Sequence, residues 1–406
     1  MSNTQKKNVP ELRFPGFEGE WEEKRFADFT KINQGLQIAI NERKTEYSPE
    51  LYFYITNEFL RPNSQTKYFI ENPPQSVIAN KEDILMTRTG NTGKVVTNVF
   101  GAFHNNFFKI KFDKNLYDRL FLVEVLNSSK IQNKILSLAG SSTIPDLNHS
   151  DFYSISSSYP LLREQQKIGQ FFSKLDRQIE LQEQKLELLQ QQKKGYMQKI
   201  FSQELRFKDE NGEDYPDWKE KKLGDITEQS MYGIGASATR FDSKNIYIRI
   251  TDIDEKSRKL NYQNLTTPDE LNNKYKLKRN DILFARTGAS TGKSYIHKEE
   301  KDIYNYYFAG FLIKFEIDEQ NNPLFIYQFT LTSKYNKWVK VMSVRSGQPG
   351  INSEEYAKLP LVLPNKLEQQ KIAEFLDRFD QQIELEKQKI EILQQQKKGL
   401  LQSMFI

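Results

Sequence analysis

The sequence predicts an α+β protein with two strand-rich, mixed α/β lobes and two long helices that form a coiled coil. Three observations predict this class: the chain repeats itself, each copy opens with short β-branched and aromatic runs, and each closes on a heptad pattern. The repeat is clearest where Glu164-Gln-Gln-Lys-Ile168 returns as Glu368-Gln-Gln-Lys-Ile372. The copies lie about 204 residues apart, half of the chain, which indicates a tandem duplication and not a short solenoid repeat.

Composition narrows the class of protein. The 406 residues are enough for two to four domains, and 37% hydrophobic content with 13% aromatics can build their cores. The net charge of +5 is compatible with a polyanionic partner without requiring one. The absence of cysteine excludes disulfides and thiolate metal sites, and the wide spacing of the three histidines argues against a metal site built from histidines alone. With no signal peptide and no run of about 20 apolar residues, the sequence predicts a soluble, cytoplasmic protein.

Each copy begins in the same way. Residues 1–20 are polar and rich in Pro and Gly, which predicts a loose lead-in. Leu12-Arg13-Phe14 returns as Leu205-Arg206-Phe207. Short predicted strands follow, among which we match Ile110-Lys111-Phe112 with Ile313-Lys314-Phe315. Apolar spacing then predicts helices over 116–138 and 323–342.

A heptad seam ends each copy and predicts a helix of about 38 residues. Its apolar positions are Ile168, Phe172, Leu175, Ile179, Leu186 and Leu189 in the first copy, and Ile372, Leu376, Phe379, Ile383, Ile390 and Leu393 in the second. Polar residues interrupt both seams, at Gln182 and Lys193 and at Glu386 and Lys397. They either fix the register of the pair or lie at a frayed end with snorkelling lysines. Each helix has the other as its simplest partner, and the sequence allows either orientation; an antiparallel pair would relate the lobes by a pseudo-twofold axis.

These patterns divide the chain into four parts: a first lobe over 1–160, a first helix over 161–203, a second lobe over 204–364 and a second helix over 365–406. The two helices agree at most positions, whereas 34–82 barely aligns with 232–280. This contrast is typical of a shared scaffold with two lobes that recognise different things, although drift under relaxed packing constraints would look the same.

Several motifs resemble catalytic or nucleotide-binding sites but fail on spacing or on a missing residue. Gly288-Ala-Ser-Thr-Gly292-Lys293-Ser294 has three residues between its glycines where a P-loop needs four, and a strand is predicted after it. Asn72-Pro73-Pro74-Gln75 lacks the aromatic residue of a methyltransferase motif. The acids around Pro216-Asp217 are too close together for a nuclease metal site. We therefore predict no catalytic and no metal-binding residues.

The repeated Arg-Thr-Gly loop, which is predicted to join strand to strand, is the strongest candidate for a nucleic-acid contact. Its glycines let backbone N–H groups approach a phosphate, and its Arg can contact phosphate or guanine. The candidate residues are Arg88, Thr89, Gly90, Asn91, Thr92 and Lys94, and in the second copy Arg286, Thr287, Gly288, Ser290, Thr291 and Lys293. A second, polar loop adds Ser141, Ser142 and Asn148, and Arg345, Ser346, Gln348 and Asn352. The alternatives are a hairpin turn with a structural Arg for the first loop and a helix cap for the second.

The order of these motifs resembles the specificity subunit of type I restriction–modification systems. Pro-Glu-Leu-Arg-Phe leading to Trp, the Arg-Thr-Gly loop, Pro-Leu before Glu-Gln-Gln-Lys-Ile, and the Gln-Gln-Gln-Lys-Lys-Gly helix ends carry the resemblance, which covers nearly the whole chain. It implies two target-recognition domains that each read half of a split DNA sequence, and an antiparallel helix pair that spaces them.

The resemblance also implies a division of labour between subunits. Two modification (adenine methyltransferase) subunits would bind this chain, and restriction subunits would complete the complex. S-adenosylmethionine, ATP and Mg are expected on those partners, and no cofactor on this chain. A coiled-coil scaffold that binds DNA only weakly remains the alternative. A self-contained methyltransferase or nuclease lacks its site.

Overall fold

The computed structural model describes residues 8–61, 64–140, 143–255, 257–298 and 303–405. The chain forms two compact units: unit 1 comprises Met1–Gln184 and Lys387–Ile406, and unit 2 comprises Lys185–Glu386. Both units mix strands with short helices and share the two long helices, which confirms the predicted fold class. No described helix is long and apolar enough to cross a membrane.

Unit 1 is built around two four-stranded sheets. Its strands are β1 (Glu22–Arg25), β2 (Thr30–Gln34), β3 (Tyr52–Ile55), β4 (Tyr68–Ile70), β5 (Ile78–Ala79), β6 (Ile84–Thr87), β7 (Val95–Val96), β8 (Gly101–Phe103), β9 (Phe107–Phe112) and β10 (Ser156–Tyr159). Its helices are α1 (Phe26–Phe29), α2 (Arg119–Asn127), α3 (Ser129–Ala139), α4 (His149–Ser154) and the first part of α5 (Leu162–Phe201). The sheets have the orders β2-β9-β6-β7 and β4-β3-β8-β5, and β1 pairs with β10.

Unit 2 repeats this order with a more divided second sheet. Its strands are β11 (Lys219–Lys222), β12 (Thr227–Tyr232), β13 (Ala238–Arg240), β14 (Asn245–Ile248), β15 (Thr266–Pro268), β16 (Ile282–Ala285), β17 (Ser294–Ile296), β18 (Asn305–Phe308), β19 (Leu312–Ile317) and β20 (Pro360–Leu363). Its helices are α6 (Pro323–Phe329), α7 (Ser333–Met342), α8 (Ser353–Ala357) and the first part of α9 (Lys366–Met404). The sheet β12-β19-β16-β17 matches the first sheet of unit 1, while β13–β15 and β14–β18 form separate pairs.

The long helices α5 and α9 run through 40 and 39 residues and pair antiparallel within each unit. In unit 1, Phe405 packs on Phe172 and Lys397 donates to Asp176. Residue numbers therefore decrease along the α9 side of the contact as they increase along α5. In unit 2, α5 and α9 are joined by the pairs Lys185–Glu386 and Lys193–Asp380, which run in the same opposed sense. The predicted apolar seam residues are all buried or half-buried. At the end of α5, Met197 is buried and Tyr196 is exposed.

The lysines of the seam form cross-helix ion pairs. In unit 2, Lys193 is 8% exposed, and its ammonium lies 2.6 Å from Asp380 Oδ1. In unit 1, Lys397 lies 2.6 Å from Asp176 Oδ1 and 3.3 Å from Glu124 Oε2. Because each lysine is bound to an acid of the opposite helix, the frayed-end alternative is wrong for both lysines. Charge pairing of this kind favours one register of the two helices.

The repeated Arg and Glu residues hold the start of each long helix. In unit 1, the Arg13 guanidinium donates from Nε and Nη2 to the two carboxylate oxygens of the buried Glu164, both at 2.7 Å. In unit 2, Arg206 donates to Glu368 in the same way, at 3.2 and 2.8 Å. The described part of the predicted lead-in has no helix or strand before β1, but this ion pair ties it to α5.

Two local predictions need correction. Each of the two segments predicted as helical forms two consecutive helices. The first helix of each segment ends where Ser128 or Thr332 caps the start of the next, α3 or α7. The predicted match of Ile110 with Ile313 is also wrong by two residues. Ile84 pairs with Ile110 in unit 1, whereas its counterpart Ile282 pairs with Phe315 in unit 2, so Ile110 corresponds to Phe315. A shift of two keeps the same side chains on the same face of a strand, so alternation alone did not reveal it.

Candidate nucleic-acid interface

The Arg-Thr-Gly loop of unit 1 (residues 88–94) joins β6 to β7, as predicted. Gly90 and Gly93 both have positive φ, at 86° and 89°, which a side chain would strain. A Cβ atom on Gly90 would lie 2.6 Å from Asn57 Nδ2, whose amide also donates to the Thr89 carbonyl at 2.9 Å. Both glycines are therefore needed for the turn, and Gly90 is also needed for the close approach of Asn57.

The polar loop of unit 1 (residues 140–148) pairs with the Arg-Thr-Gly loop. The Leu147 N–H donates to the Arg88 carbonyl at 2.9 Å, and the Gly90 N–H donates to the Pro145 carbonyl at 3.4 Å. Thr92 is buried and donates from Oγ1 to the same Pro145 carbonyl at 2.7 Å. Two loops that the sequence predicted separately thus form one platform.

Within this platform Arg88 is bound by a carboxylate. Its Nη2 donates to Asp146 Oδ2 at 2.6 Å, and its Nε donates to the Leu147 carbonyl at 3.3 Å. Its guanidinium carbon lies 5.6 Å from the centre of the Phe108 ring. Thr89 also donates its hydroxyl to Asp146. The Arg88 side chain is 18% exposed and that of Asp146 44%, so both reach the surface.

Unit 2 forms the same platform from residues 286–293 and 345–352. The Ile351 N–H donates to the Arg286 carbonyl, and the Gly288 N–H donates to the Pro349 carbonyl, both at 2.9 Å. Gly288 has a φ of 73°. Because both units reproduce these hydrogen bonds, the pairing of the two loops belongs to the repeated fold.

Arg286 differs from Arg88 in its surroundings. Its guanidinium carbon lies 4.9 Å from the centre of the Tyr232 ring, and Nη1 donates to the Gly310 carbonyl at 3.4 Å. Among the described residues no salt bridge joins Arg286 to a carboxylate, because Gly350 stands where unit 1 has Asp146.

Comparison with known proteins gives this platform its context. The family model described as the type I restriction modification DNA specificity domain matches the chain twice, over residues 18–191 and 215–395. The chain belongs to this family. Both matches include an Arg-Thr-Gly loop, a polar loop and most of a long helix.

Individual relatives agree with this assignment. The type I restriction enzyme MjaVIII specificity subunit of Methanocaldococcus jannaschii is 26% identical over 97% of this chain and 93% of its own length. The StySPI specificity subunit of Salmonella potsdam is 24% identical over 70% of this chain and 61% of its own length. The crystal structure of the type I restriction–modification S subunit from M. genitalium has the same fold, with a TM-score of 0.68 and 17% identity over 98% of this chain and 99% of that one.

The chain is thus a type I specificity subunit, whose task is recognition of a DNA target. Specificity subunits of these systems are non-catalytic. Among the described residues, no group of acids and histidines is placed to hold a metal ion. Burial lowers the pKa of both His104 and His297 to about 4, so both rings are neutral near pH 7 and add no positive charge.

The structure places the remaining predicted contact residues of the specificity subunit unevenly. Asn91 and Lys94 are exposed, and Thr287, Ser290 and Thr291 are half-buried in the loop of unit 2. Lys293 is buried and points at the Ile253 carbonyl, 3.4 Å away, so its ammonium faces the interior. Ser346 and Gln348 are exposed on the polar loop. Ser141 and Ser142 lie outside the described residues.

Some of these residues also have structural roles. Asn148 and Asn352 cap α4 and α8 by accepting from the backbone N–H groups of Asp151 and Glu355, the alternative that the sequence left open. Arg345 donates from Nη2 to both Glu355 oxygens at 2.5 Å.

Three residues of the interface were not predicted: Asp146, Asn57 and Tyr232. Asp146 follows the matched Pro145, so comparing the two copies residue by residue would have shown Asp146 against Gly350. Asn57 and Tyr232 come from segments outside both loops, and no spacing in the sequence connects them to the Arg-Thr-Gly motif.

Proposed function

We propose that this chain reads a bipartite DNA target, one half-site with each lobe, and that it docks two modification subunits of a type I complex. The proposal assigns 1–160 and 204–364 as target-recognition domains and 161–203 and 365–406 as the helices that space them. S-adenosylmethionine, ATP and Mg belong in this proposal to the modification and restriction subunits.

One observation carries the proposal: in both units the Arg-Thr-Gly loop and the polar loop are hydrogen-bonded into one platform that brings an arginine to the surface. Arginine is the side chain that most often contacts guanine and phosphate in duplex DNA. Lys94 and the exposed polar residues of the loops add further polar contacts to the DNA.

Arg88→Ala should weaken recognition of one half-site, and Arg286→Ala recognition of the other. A lost base contact should cost about 1–3 kcal/mol at one position of the target. A lost phosphate contact should lower affinity for all sequences and flatten the salt dependence by about one unit of slope. The measurement starts by mapping methylated adenines genome-wide in strains with and without the protein, which gives the target. Binding of the modification complex to that duplex and to single-base variants follows.

Arg25→Ala is the matched control, because the Arg25 side chain is 65% exposed and lies outside both loops. It removes the same charge and should leave half-site discrimination unchanged. If both loop variants behave like Arg25→Ala, the loops do not contact DNA. Equal affinity of the native complex for every duplex would favour the scaffold alternative.

The long helices carry exposed apolar side chains that fit the proposed docking of modification subunits. In unit 1, Leu181 is 48% exposed and Ile392 53%; in unit 2, Leu188 is 53% and Leu385 54% exposed. By the internal repeat, Leu181 corresponds to Leu385 and Leu188 to Ile392. Each unit thus presents an equivalent pair, one from each helix, as expected for two copies of one partner.

The double substitution Leu181→Asp with Ile392→Asp should weaken binding of one modification subunit at least about tenfold, since two apolar contacts are lost and two charges are desolvated. Stoichiometry by analytical ultracentrifugation, with titration of the modification subunit, measures this. Leu136→Asp is the control, because Leu136 is 50% exposed and belongs to α3, not to either long helix. An unchanged two-to-one complex for the double variant would contradict this docking surface.

A further inference from the structure

Asp146 is the main chemical difference between the two platforms. Arg88 and Arg286 occupy equivalent backbone positions, since the Arg88 N–H donates to the Asn106 carbonyl and the Arg286 N–H donates to the Phe311 carbonyl. Thr89 forms a bridge with Asp146 in unit 1, and Thr287 forms the same bridge with Gly350 in unit 2. One arginine is therefore paired with a carboxylate at a position where the other faces a residue without a side chain.

The pairing leaves part of the Arg88 fork available. Asp146 and the Leu147 carbonyl occupy one N–H on Nη2 and the N–H on Nε. Of the five guanidinium N–H donors, the two on Nη1 and the second on Nη2 have no partner among the described residues, and they include the end-on edge of the fork. This edge can donate two parallel hydrogen bonds to the O6 and N7 atoms of guanine.

The carboxylate also changes what Arg88 attracts. Asp146 offsets the positive charge and repels phosphate, so the paired arginine gains little from non-specific contact with the DNA backbone. At the same time it fixes the side chain in one geometry, so less conformational freedom is lost on binding. Arg286 keeps its full charge and is held by an aromatic ring and a carbonyl.

We infer that Asp146 is a specificity-determining residue, which makes Arg88 a reader of a guanine edge in the first half-site and leaves Arg286 as an anchor for phosphate. The inference rests on the proposed function, because it presupposes that both platforms contact DNA. It assigns the two arginines different tasks: Arg88 discriminates a base in the first half-site, and Arg286 adds sequence-independent affinity.

Asp146→Asn tests the inference in the complete modification complex, with the mapped target, its single-base variants and a random duplex as probes. The amide keeps the shape and loses the charge. We expect affinity for the random duplex to rise several-fold, the salt slope to steepen by about one unit, and discrimination at one first-half-site position to fall about tenfold.

The converse change gives an independent test in unit 2. Gly350→Asp supplies the missing carboxylate, and Gly350→Asn is its uncharged control. Both variants place a Cβ atom 3.3 Å from the Arg286 carbonyl oxygen, at a backbone position without positive φ, so they share the same steric effect and differ in charge. Relative to Gly350→Asn, Gly350→Asp should lower random-duplex affinity several-fold and flatten the salt slope by about one unit.

The outcomes distinguish a failure of the proposed DNA contact from a failure of the role of Asp146. If Arg88→Ala changes neither affinity nor discrimination, the proposed DNA contact itself fails. If Arg88→Ala impairs the first half-site while Asp146→Asn matches the native complex in salt slope and discrimination, only the role of Asp146 fails. Loss of affinity in Arg88→Ala that is uniform across sequences would also overturn it, as would identical behaviour of Gly350→Asp and Gly350→Asn.

Discussion

Glu368→Ala should destabilise unit 2 by about 3 kcal/mol, because it leaves a charged partner without its buried carboxylate. The Glu368 side chain is 0% exposed and accepts hydrogen bonds from Arg206 and, at 3.2 Å, from Trp218 Nε1. The Arg206 guanidinium, whose pKa this carboxylate raises, would keep its bonds to the Tyr215 and Pro216 carbonyls and a longer contact of 3.9 Å from Nη1 to Asp217 Oδ1. Hydrogen exchange resolved by peptide measures the effect, with faster exchange expected in the first turns of α9 and in α6.

The controls for this prediction come from the same helix and from the repeat. Glu374→Ala removes an exposed acid of α9 and should change stability by less than about 0.5 kcal/mol. Glu164→Ala breaks the equivalent pair with Arg13 and should act on unit 1 instead. Equal exchange rates for Glu368→Ala and Glu374→Ala would show that the buried pair does not hold the start of α9.

Glu124→Gln should make unit 1 more stable at alkaline pH. Burial raises the pKa of Glu124 to about 7, and the nearby Asp176 carboxylate also raises it, while Lys397 acts in the opposite direction. The native state therefore holds this proton more tightly than the unfolded chain does. The free energy of unfolding of unit 1 then falls as pH rises from about 4.5 to about 7, and the loss is complete above that range.

A neutral glutamine removes this loss, which amounts to about 3 kcal/mol at pH 8. Lys397 keeps its 2.6 Å bond to Asp176 in the variant. The expected result is equal stability of variant and native protein near pH 4 and a difference that grows from about pH 4.5 and levels off above about pH 7, measured by hydrogen exchange in α2 and α3. A constant difference at all pH values would contradict the assignment.

The repeat provides the converse experiment. Gln328 of α6 stands where α2 has Glu124, is 0% exposed, and donates from Nε2 to Asp380 at 2.8 Å. Gln328→Glu should therefore give unit 2 the pH dependence that unit 1 has natively. Both units carry the same lysine–aspartate pair, so the comparison isolates the effect of the third side chain, Glu124 in unit 1 and Gln328 in unit 2.

The long helices and the strand–loop–strand motif could be predicted because their signals are local. Heptad spacing along α5 and α9 depends on residues three and four positions apart, and the glycines of the Arg-Thr-Gly loop mark a turn within seven residues. The helix caps Ser128 and Thr332 are also local signals, yet their effect was missed because the apolar spacing continues across both breaks.

The partners of the polar residues depended on the tertiary structure. Lys193 was equally compatible with fixing register or with a frayed end until its ammonium was placed against Asp380 of the other helix. Arg88 was recognised as a candidate contact, but Asp146, which binds it, lies 58 positions further along the chain.

The sequence by itself determined the duplication, the two seams and the paired loops as separate motifs, since repetition and periodicity are properties of neighbouring residues. Only the tertiary structure decided that the helices pair antiparallel in each unit, that the two loops join, and that one arginine has a carboxylate partner while the other has none among the described residues. The physical reason is range: a salt bridge acts over a few ångströms in space, and the chain separation of its two residues leaves no periodic trace.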